Sequence, residues 1–102
     1  MPVVVFLARL RPGVDPAAYE RWVREVDYPT ARGLPSIVSH TNYRLVGPLR
    51  KADVRYDYLE VIHITDLEAY RRDLARPELQ ALREQLAAFI EPSDNFVAEP
   101  VE

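Results

Sequence analysis

The stretch Val3-Val4-Val5-Phe6-Leu7-Ala8-Arg9-Leu10 decides how this chain folds. It is an apolar run rich in β-branched side chains, without the alternation of a strand that has one face in water. The run therefore predicts a β-strand that is buried on both faces and lies in the centre of its sheet. Arg11-Pro12-Gly13 ends it. Residues 56–64 form a second such run, broken only by Glu60 and His63, and predict another strand with two apolar faces.

A first helix follows the first strand. Asp15 supplies an N-cap acceptor, and Pro16 takes the first helical position. An apolar stripe with helical spacing comes next, made of Tyr19, Trp22, Val23 and Val26. Pro29 predicts the end of this helix, because the residue before a proline is pushed out of the α-helical region.

A second helix follows the third strand. Thr65 and Glu68 form a capping box at its start, Pro77 interrupts it, and Pro92-Ser93-Asp94 ends it. Its apolar stripe consists of Leu67, Tyr70 and Leu74 before Pro77, and of Leu79, Leu82, Leu86, Phe89 and Ile90 after it.

Two further strands complete the pattern. Residues 37–46 mix polar and apolar side chains on both faces, which is typical of an edge strand, and residues 95–101 predict a short final strand. Gly47-Pro48 and the charged residues 50–53 form the turn after the edge strand. The order β-α-β-β-α-β predicts one α+β, ferredoxin-like domain over residues 1–102, a four-stranded antiparallel sheet with two helices on one face. The helix-free face is apolar and needs a cover, so we expect a homodimer packed sheet against sheet.

Composition argues against several kinds of partner and cofactor. The net charge is −3 and no basic patch stands out, so we expect no nucleic-acid partner. The N-terminal apolar run is too short to span a membrane and lacks the basic flank of a signal peptide. A cytoplasmic protein with no membrane partner is therefore expected. The chain has no cysteine, two histidines with unsuitable spacing, and no glycine-rich phosphate loop, which predicts no bound metal and no organic cofactor.

The segment Arg24-Glu25-Val26-Asp27-Tyr28-Pro29, followed by Arg32 and Leu34-Pro35-Ser36, lies where the first helix is predicted to give way to a loop. Together with the order of elements, it resembles the REDY-like family of the dimeric α+β barrel superfamily. The resemblance implies a pocket between the helices and the sheet of each subunit. Some members of the family are associated with secondary-metabolite pathways such as those of pyrrole pigments. The superfamily contains cofactor-free monooxygenases, polyketide cyclases, haem-degrading enzymes and dehydratases.

Two histidines that such relatives often use as bases are replaced here. EthD-like proteins often carry a histidine just after the first helix, where this chain has Asp27. The cyclase-like branch often has a histidine two residues after a proline of the second helix, whereas Pro77 is followed here by Glu78 and Leu79. Neither mechanism therefore transfers directly.

Asp27, His40 and Glu60 are the candidate catalytic residues. A buried carboxylate can act as a general base when its pKa rises toward neutrality, and an imidazole already titrates there. Each residue also has a structural interpretation. Asp27 can cap or brace the loop, His40 can pack at an interface, and Glu60 can form an ion pair across the sheet with Arg9 or Arg44.

Six residues are candidate contacts for an apolar or aromatic ligand: Phe6, Trp22, Tyr28, Arg32, Tyr43 and Tyr58. The structural alternative is ordinary packing for the aromatic residues and an ion pair with Asp27 for Arg32. The resemblance implies that Tyr58 and Glu60 share the strand face toward the helices and the pocket, whereas His63 faces the dimer interface.

Three functions remain open. The first is a small-molecule enzyme or enzyme-like binder that acts on an apolar, aromatic metabolite. The second is a non-catalytic accessory protein that carries a pathway intermediate or docks on a partner enzyme, with its polar groups paired among themselves. The third is a purely structural dimer, which has no cavity. The first predicts a cavity lined by Phe6, Trp22, Tyr58, Leu74 and Phe89, with Asp27, His40 or Glu60 as its polar groups.

Overall fold

The fold is ferredoxin-like, as the order of elements predicts. The computed structural model describes residues 1–51, 53 and 55–102. Its four strands form one antiparallel sheet in the order β2-β3-β1-β4. They are β1 (Val3–Ala8), β2 (Ile37–Arg44), β3 (Tyr58–Ile64) and β4 (Asp94–Ala98). The central position of β1 and the edge position of β2 are confirmed, whereas the predicted turn at 50–53 includes residue 52, which lies outside the described residues.

The sheet has two distinct faces because side chains alternate along each strand. Val4 lies opposite Ile62, Phe6 opposite Glu60 and Ala8 opposite Tyr58, and this row faces the helices. The alternate residues of these strands point to the helix-free face, where Val5 lies opposite Val61 and Leu7 opposite Leu59. The strand face predicted for Glu60 is therefore confirmed.

The first helical region is longer than predicted. It consists of α1 (Pro16–Trp22), a π-helical turn (Val23–Asp27) and α2 (Tyr28–Arg32), so Pro29 does not end it. The Tyr28 N–H bonds to the Val23 carbonyl five residues earlier, which shifts the hydrogen-bond ladder by one residue. Pro29 then lies in the first turn of α2, where a missing N–H is tolerated. The predicted loop shrinks to residues 33–36.

The second helical region is divided at Pro77, as predicted, into α3 (Leu67–Leu74) and α4 (Pro77–Leu86). The predicted capping box is wrong by one residue. Asp66 is the N-cap, and its carboxylate accepts the Ala69 N–H at 2.8 Å, because Asp66 has the extended backbone that a cap needs. The helix also ends earlier than predicted, since Ile90 turns away to form a β-bridge with Leu10.

The core lies between these helices and the sheet. Tyr19, Val23, Tyr58 and Ile90 are buried in one cluster, and Leu34, Leu79 and Leu82 in another. Trp22 packs against both clusters, and its indole N–H donates to the Gln85 side-chain oxygen at 2.8 Å. Over the described ranges, no helix is long and apolar enough to cross a membrane.

Candidate active site

A cavity of about 260 Å³ lies between the sheet and the helices. Its walls are mostly apolar, formed by Phe6, Ala8, Ala31, Ile37, Ile62, Leu74, Leu79, Leu82, Leu86 and Ile90. Tyrosines and polar side chains supply the rest: Tyr19, Asp27, His40, Asn42, Tyr58, Glu60, Tyr70, Arg83, Ser93 and Asn95. Small-molecule sites have this character, an apolar cavity with a few placed polar groups.

The three candidate catalytic side chains meet in this cavity. The Nε2 atom of His40 lies 3.0 Å from a carboxylate oxygen of Glu60 and 3.8 Å from one of Asp27. His40 is 2% exposed and Asp27 is 6% exposed, while Glu60 is partly buried. We call Asp27, His40 and Glu60 the acid–base cluster.

Local backbone irregularities bring these residues together. Asp27 is the last residue of the π-helical turn, and such turns occur frequently at functional sites. The β2–β3 register shifts between Ile37 and Ser39, as in a β-bulge. Ile37 and His40 consequently both line the cavity, although a regular strand would place them on opposite faces.

The environment of Asp27 favours its neutral form. Burial first, and the nearby Glu60 carboxylate second, raise the pKa of Asp27 from 3.8 to about 7, against the opposing effects of His40 and Arg32. A carboxyl group with this pKa can give or accept a proton near neutral pH.

The imidazole of His40 is held by its surroundings more than by hydrogen bonds. Tyr28 packs edge-on against the ring, with the two centroids 5.2 Å apart. Among the described residues, neither ring nitrogen has a well-aligned hydrogen-bond partner, even though Nε2 is close to both carboxylates. Buried polar atoms normally have such partners. The ring nitrogens of His40 can therefore bind a further ligand or exchange a proton with it.

The expected contact between Asp27 and Arg32 is wrong. Arg32 stacks on the Tyr28 ring, with its guanidinium carbon 3.8 Å from the centroid, and donates to the His40 carbonyl at 2.8 Å. The Asn42 N–H donates to the Tyr28 hydroxyl at 2.8 Å. Asp27 turns inward instead, because the π-helical turn directs it at the cavity. Tyr28 and Arg32 therefore lie behind the acid–base cluster, outside the cavity lining.

The structural alternative for Glu60, an ion pair with Arg9 or Arg44, is also wrong. Arg9 pairs with Glu91, and Arg44 pairs with Glu20 on α1. Both arginines lie toward the end of the sheet away from the acid–base cluster. Hydrogen bonds from Arg44 and Tyr58 lower the pKa of Glu20 to about 2. The basic side chain that contacts Glu60 is His40, with Nε2 3.0 Å from a carboxylate oxygen.

The other predicted contact residues divide between the cavity and its surroundings. Phe6 and Tyr58 line the cavity, together with the predicted Leu74. Trp22 and Phe89 lie outside it, in aromatic contact with each other at 5.5 Å between centroids. Tyr43 is 51% exposed on the helix-free face.

Sequence reasoning missed Asn42 and Tyr19. The Asn42 amide donates to the Tyr19 hydroxyl at 2.9 Å, and burial raises the pKa of Tyr19. Asn42 lies two residues after His40, on the same face of β2, so the alternation of the strand was the signal that could have found it. Tyr19 belonged to the core stripe of α1, where its hydroxyl gave no separate signal.

The family described as REDY-like protein HapK matches residues 2–101 of this chain. The chain belongs to this REDY-like HapK family. The family resemblance of the segment around Asp27 is thereby confirmed. No curated protein sequence is significantly similar to the chain.

Solved structures share its fold over nearly its whole length. HapK from Hahella chejuensis is 31% identical, with 99% of this chain and 93% of that chain covered and a TM-score of 0.83. A point mutant of SnoaB, a cofactor-independent oxygenase from Streptomyces nogalater, is 27% identical, with 98% and 94% covered and a TM-score of 0.67. A dimeric ferredoxin-like protein of unknown function from Thermobifida fusca is 15% identical, with 95% and 88% covered and a TM-score of 0.74.

Proposed function

We propose that this REDY-like protein binds a small, largely apolar aromatic metabolite in the cavity and transfers a proton to or from it through the acid–base cluster. The observation that carries the proposal is the convergence of Asp27, His40 and Glu60 on one wall of an otherwise apolar cavity. Three ionisable side chains are costly to place there, and a purely structural dimer has no use for the cavity.

The size and lining of the cavity limit the ligand. A volume of about 260 Å³ is slightly below the usual range of small-molecule sites, which runs from about 300 to 1,000 Å³. Tyr19, Tyr58 and Tyr70 offer flat faces for an aromatic ring, and Phe6 adds a further ring from the central strand β1. These features favour a compact ring system with one acidic or basic group.

The three side chains have separate roles in this proposal. His40 is the group that exchanges a proton with the ligand, because its ring lines the cavity and is fixed by Tyr28. Glu60, 3.0 Å from Nε2, stabilises the protonated ring. Asp27 supplies a second exchangeable proton within 3.8 Å of the same nitrogen. The bond that breaks is an O–H, N–H or activated C–H bond of the metabolite.

One structural relative supports a catalytic function for a protein of this fold. SnoaB is a cofactor-independent oxygenase, a reaction class in which the protein must itself activate the substrate. Proton removal from an aromatic substrate is the step that side chains can supply in such a site. The family resemblance points to secondary metabolism as the setting.

We propose a homodimer as the assembled form. The helix-free face carries a row of apolar side chains in register, namely Val3, Val5, Leu7, Tyr43, Leu59, Val61 and Phe96. Tyr43 and Phe96 are each about half exposed in the single chain. A second copy placed sheet against sheet would cover this surface, and the Thermobifida fusca protein with the same fold is dimeric.

One observation favours the accessory-protein alternative. His40 and Glu60 already contact each other at 3.0 Å, so part of the polar lining is paired internally. A carrier protein would hold the same apolar metabolite without altering it. Binding is therefore common to both functions, and turnover separates them.

Native mass spectrometry of the purified protein tests the proposal. We expect a dimer that carries a small aromatic molecule, and we expect Ala31→Leu, which fills the cavity wall, to remove it. Ala81→Leu, on the exposed surface of α4, is the matched control. Retention of the molecule by Ala31→Leu at an unchanged melting temperature would place the ligand elsewhere. Conversion by the wild type but not by His40→Gln would select the enzyme over the carrier.

A further inference from the structure

The acid–base cluster has the composition of a metal site. One oxygen of Asp27, one nitrogen of His40 and one oxygen of Glu60 all lie within 4.8 Å of one another. The three ligand atoms come from the π-helical turn, β2 and β3, so they are positioned by separate elements of the scaffold. No other group of three histidine, aspartate or glutamate side chains converges in this way within residues 1–51, 53 and 55–102.

A second observation points to a missing ligand. His40 is 98% buried, and within the described part of the chain neither of its ring nitrogens has an aligned hydrogen-bond partner. Its Nε2 faces both carboxylates, at 3.0 and 3.8 Å, without donating cleanly to either. Buried imidazoles in proteins normally have their nitrogens paired or bound to a metal.

We propose that Asp27, His40 and Glu60 bind one divalent transition-metal ion at the wall of the cavity. Metal–ligand bonds of about 2.0–2.2 Å hold neighbouring ligand atoms about 3 Å apart. Nε2 of His40 lies 3.0 and 3.8 Å from the two carboxylates and all three ligand atoms lie within 4.8 Å of one another, so binding would draw the two carboxylates together around the ion. One imidazole and two carboxylates suit Zn²⁺, Mn²⁺ or Fe²⁺. The ion would neutralise two carboxylates that otherwise repel each other in a buried site.

The arrangement leaves coordination positions for a ligand. Three protein ligands with an open position are typical of catalytic metal sites, whereas structural sites are closed by four. The open side faces the cavity, because all three ligands line it. This inference rests on the proposed function for its cavity and its ligand. In the metal-bound form the ion, in place of Nε2 of His40, would contact an oxygen or nitrogen donor of the metabolite and favour loss of its proton.

Residue spacing along the chain provides no sign of this site. Spacing rules recognise ligands that are close in the chain, whereas Asp27, His40 and Glu60 are 13 and 20 residues apart on three elements. The expectation of no metal rests on the absence of cysteine and on the small number and unsuitable spacing of the histidines, and metal titration decides it.

Isothermal titration calorimetry of chelator-treated protein with Zn²⁺ tests the proposal. We expect one Zn²⁺ per chain with micromolar or tighter affinity. We expect His40→Gln and Glu60→Gln each to weaken binding at least tenfold. His63→Gln is the matched control, because it removes the only other histidine, which is exposed on the opposite face of β3.

Several outcomes would overturn the proposal. They are no Zn²⁺ binding by the wild type, binding that survives both cluster substitutions, and binding that is lost in His63→Gln. If circular dichroism shows that His40→Gln does not fold, Glu60→Gln still tests whether the cluster binds the metal. Binding of the aromatic ligand by chelator-treated protein is measured separately. A protein that binds the aromatic molecule but not Zn²⁺ would contradict the metal site and leave the proposed function standing.

Discussion

His40 and Glu60 lie on neighbouring strands, one at the sheet edge and one in its centre, with Nε2 of His40 3.0 Å from a carboxylate oxygen of Glu60. They are diagonal neighbours, since Glu60 is directly opposite Asn42 and His40 opposite Ile62. Such pairs reach each other on one sheet face. The side chain of Glu60 is 18% exposed through the cavity, whereas that of His40 is 1% exposed, so their contact marks the boundary between the cavity and the core.

The stability of the metal-free protein should depend on pH through Asp27. The pKa of Asp27 rises from 3.8 to about 7 on folding, so the folded state keeps a proton that the unfolded state has lost between these values. The contribution of Asp27 to stability is therefore full below about pH 4, falls as the pH rises, and is lost, on the order of a few kcal/mol, above pH 7. We expect Asp27→Asn to flatten this slope and to be more stable than the wild type at pH 8. Urea unfolding in the presence of a chelator measures the pH dependence of stability and the stability difference at pH 8. An Asp27→Asn variant that is less stable than the wild type at pH 8 would contradict the prediction.

Arg32→Lys should lower stability by about 1–2 kcal/mol, because lysine cannot reproduce both the stacking on Tyr28 and the bond to the His40 carbonyl. Arg24→Lys, at an exposed position of the same helical region, is the control and should change little. Thermal unfolding gives the stability difference. If Arg32 contacts the ligand directly, Arg32→Lys will instead reduce ligand affinity while the melting temperature stays constant.

Trp22→Ala should destabilise the fold by roughly 3 kcal/mol, as do other large-to-small substitutions at packed positions. Trp22 packs against two core clusters and donates to Gln85, outside the cavity lining. Gln85→Ala removes only the hydrogen bond and should have a smaller effect. Chemical unfolding measures the loss, and ligand affinity well below the melting temperature should be preserved. An unchanged unfolding free energy with lost binding would assign Trp22 to the site.

Val61→Lys should dissociate the proposed dimer. Val61 lies in the middle of the helix-free face, opposite Val5 on one side and Thr41 on the other. A lysine there would bury a charge against the same charge of a two-fold partner. Sedimentation velocity should show a monomer for Val61→Lys and a dimer for Ala81→Lys, which adds the same charge to the exposed surface of α4. A monomeric wild type at micromolar concentration would refute the dimer itself.

Local sequence signals predicted helix boundaries correctly where a single residue fixes the backbone conformation. Asp15 and Pro16 start α1, and the Asp15 carboxylate accepts the Ala17 N–H at 3.0 Å. Pro77 divides the second helix as predicted, because a proline has no N–H for the preceding turn. Pro29 misled the prediction, since a π-helical turn in front of it leaves no bond for its missing N–H to break.

The sequence by itself determined the fold, because the two-sided apolar runs around Val5 and Val61 can be buried only in the centre of a sheet. It also identified Asp27, His40 and Glu60 as candidates, since Asp27 lies in the family-like segment, His40 is one of only two imidazoles and Glu60 interrupts an apolar strand. Only the tertiary structure decided that these three meet in one cavity and that Arg32 turns away from Asp27. The reason is physical: the π-helical turn and the β-bulge each add one residue to the hydrogen-bond ladder, and regular helix and strand periods do not encode such insertions.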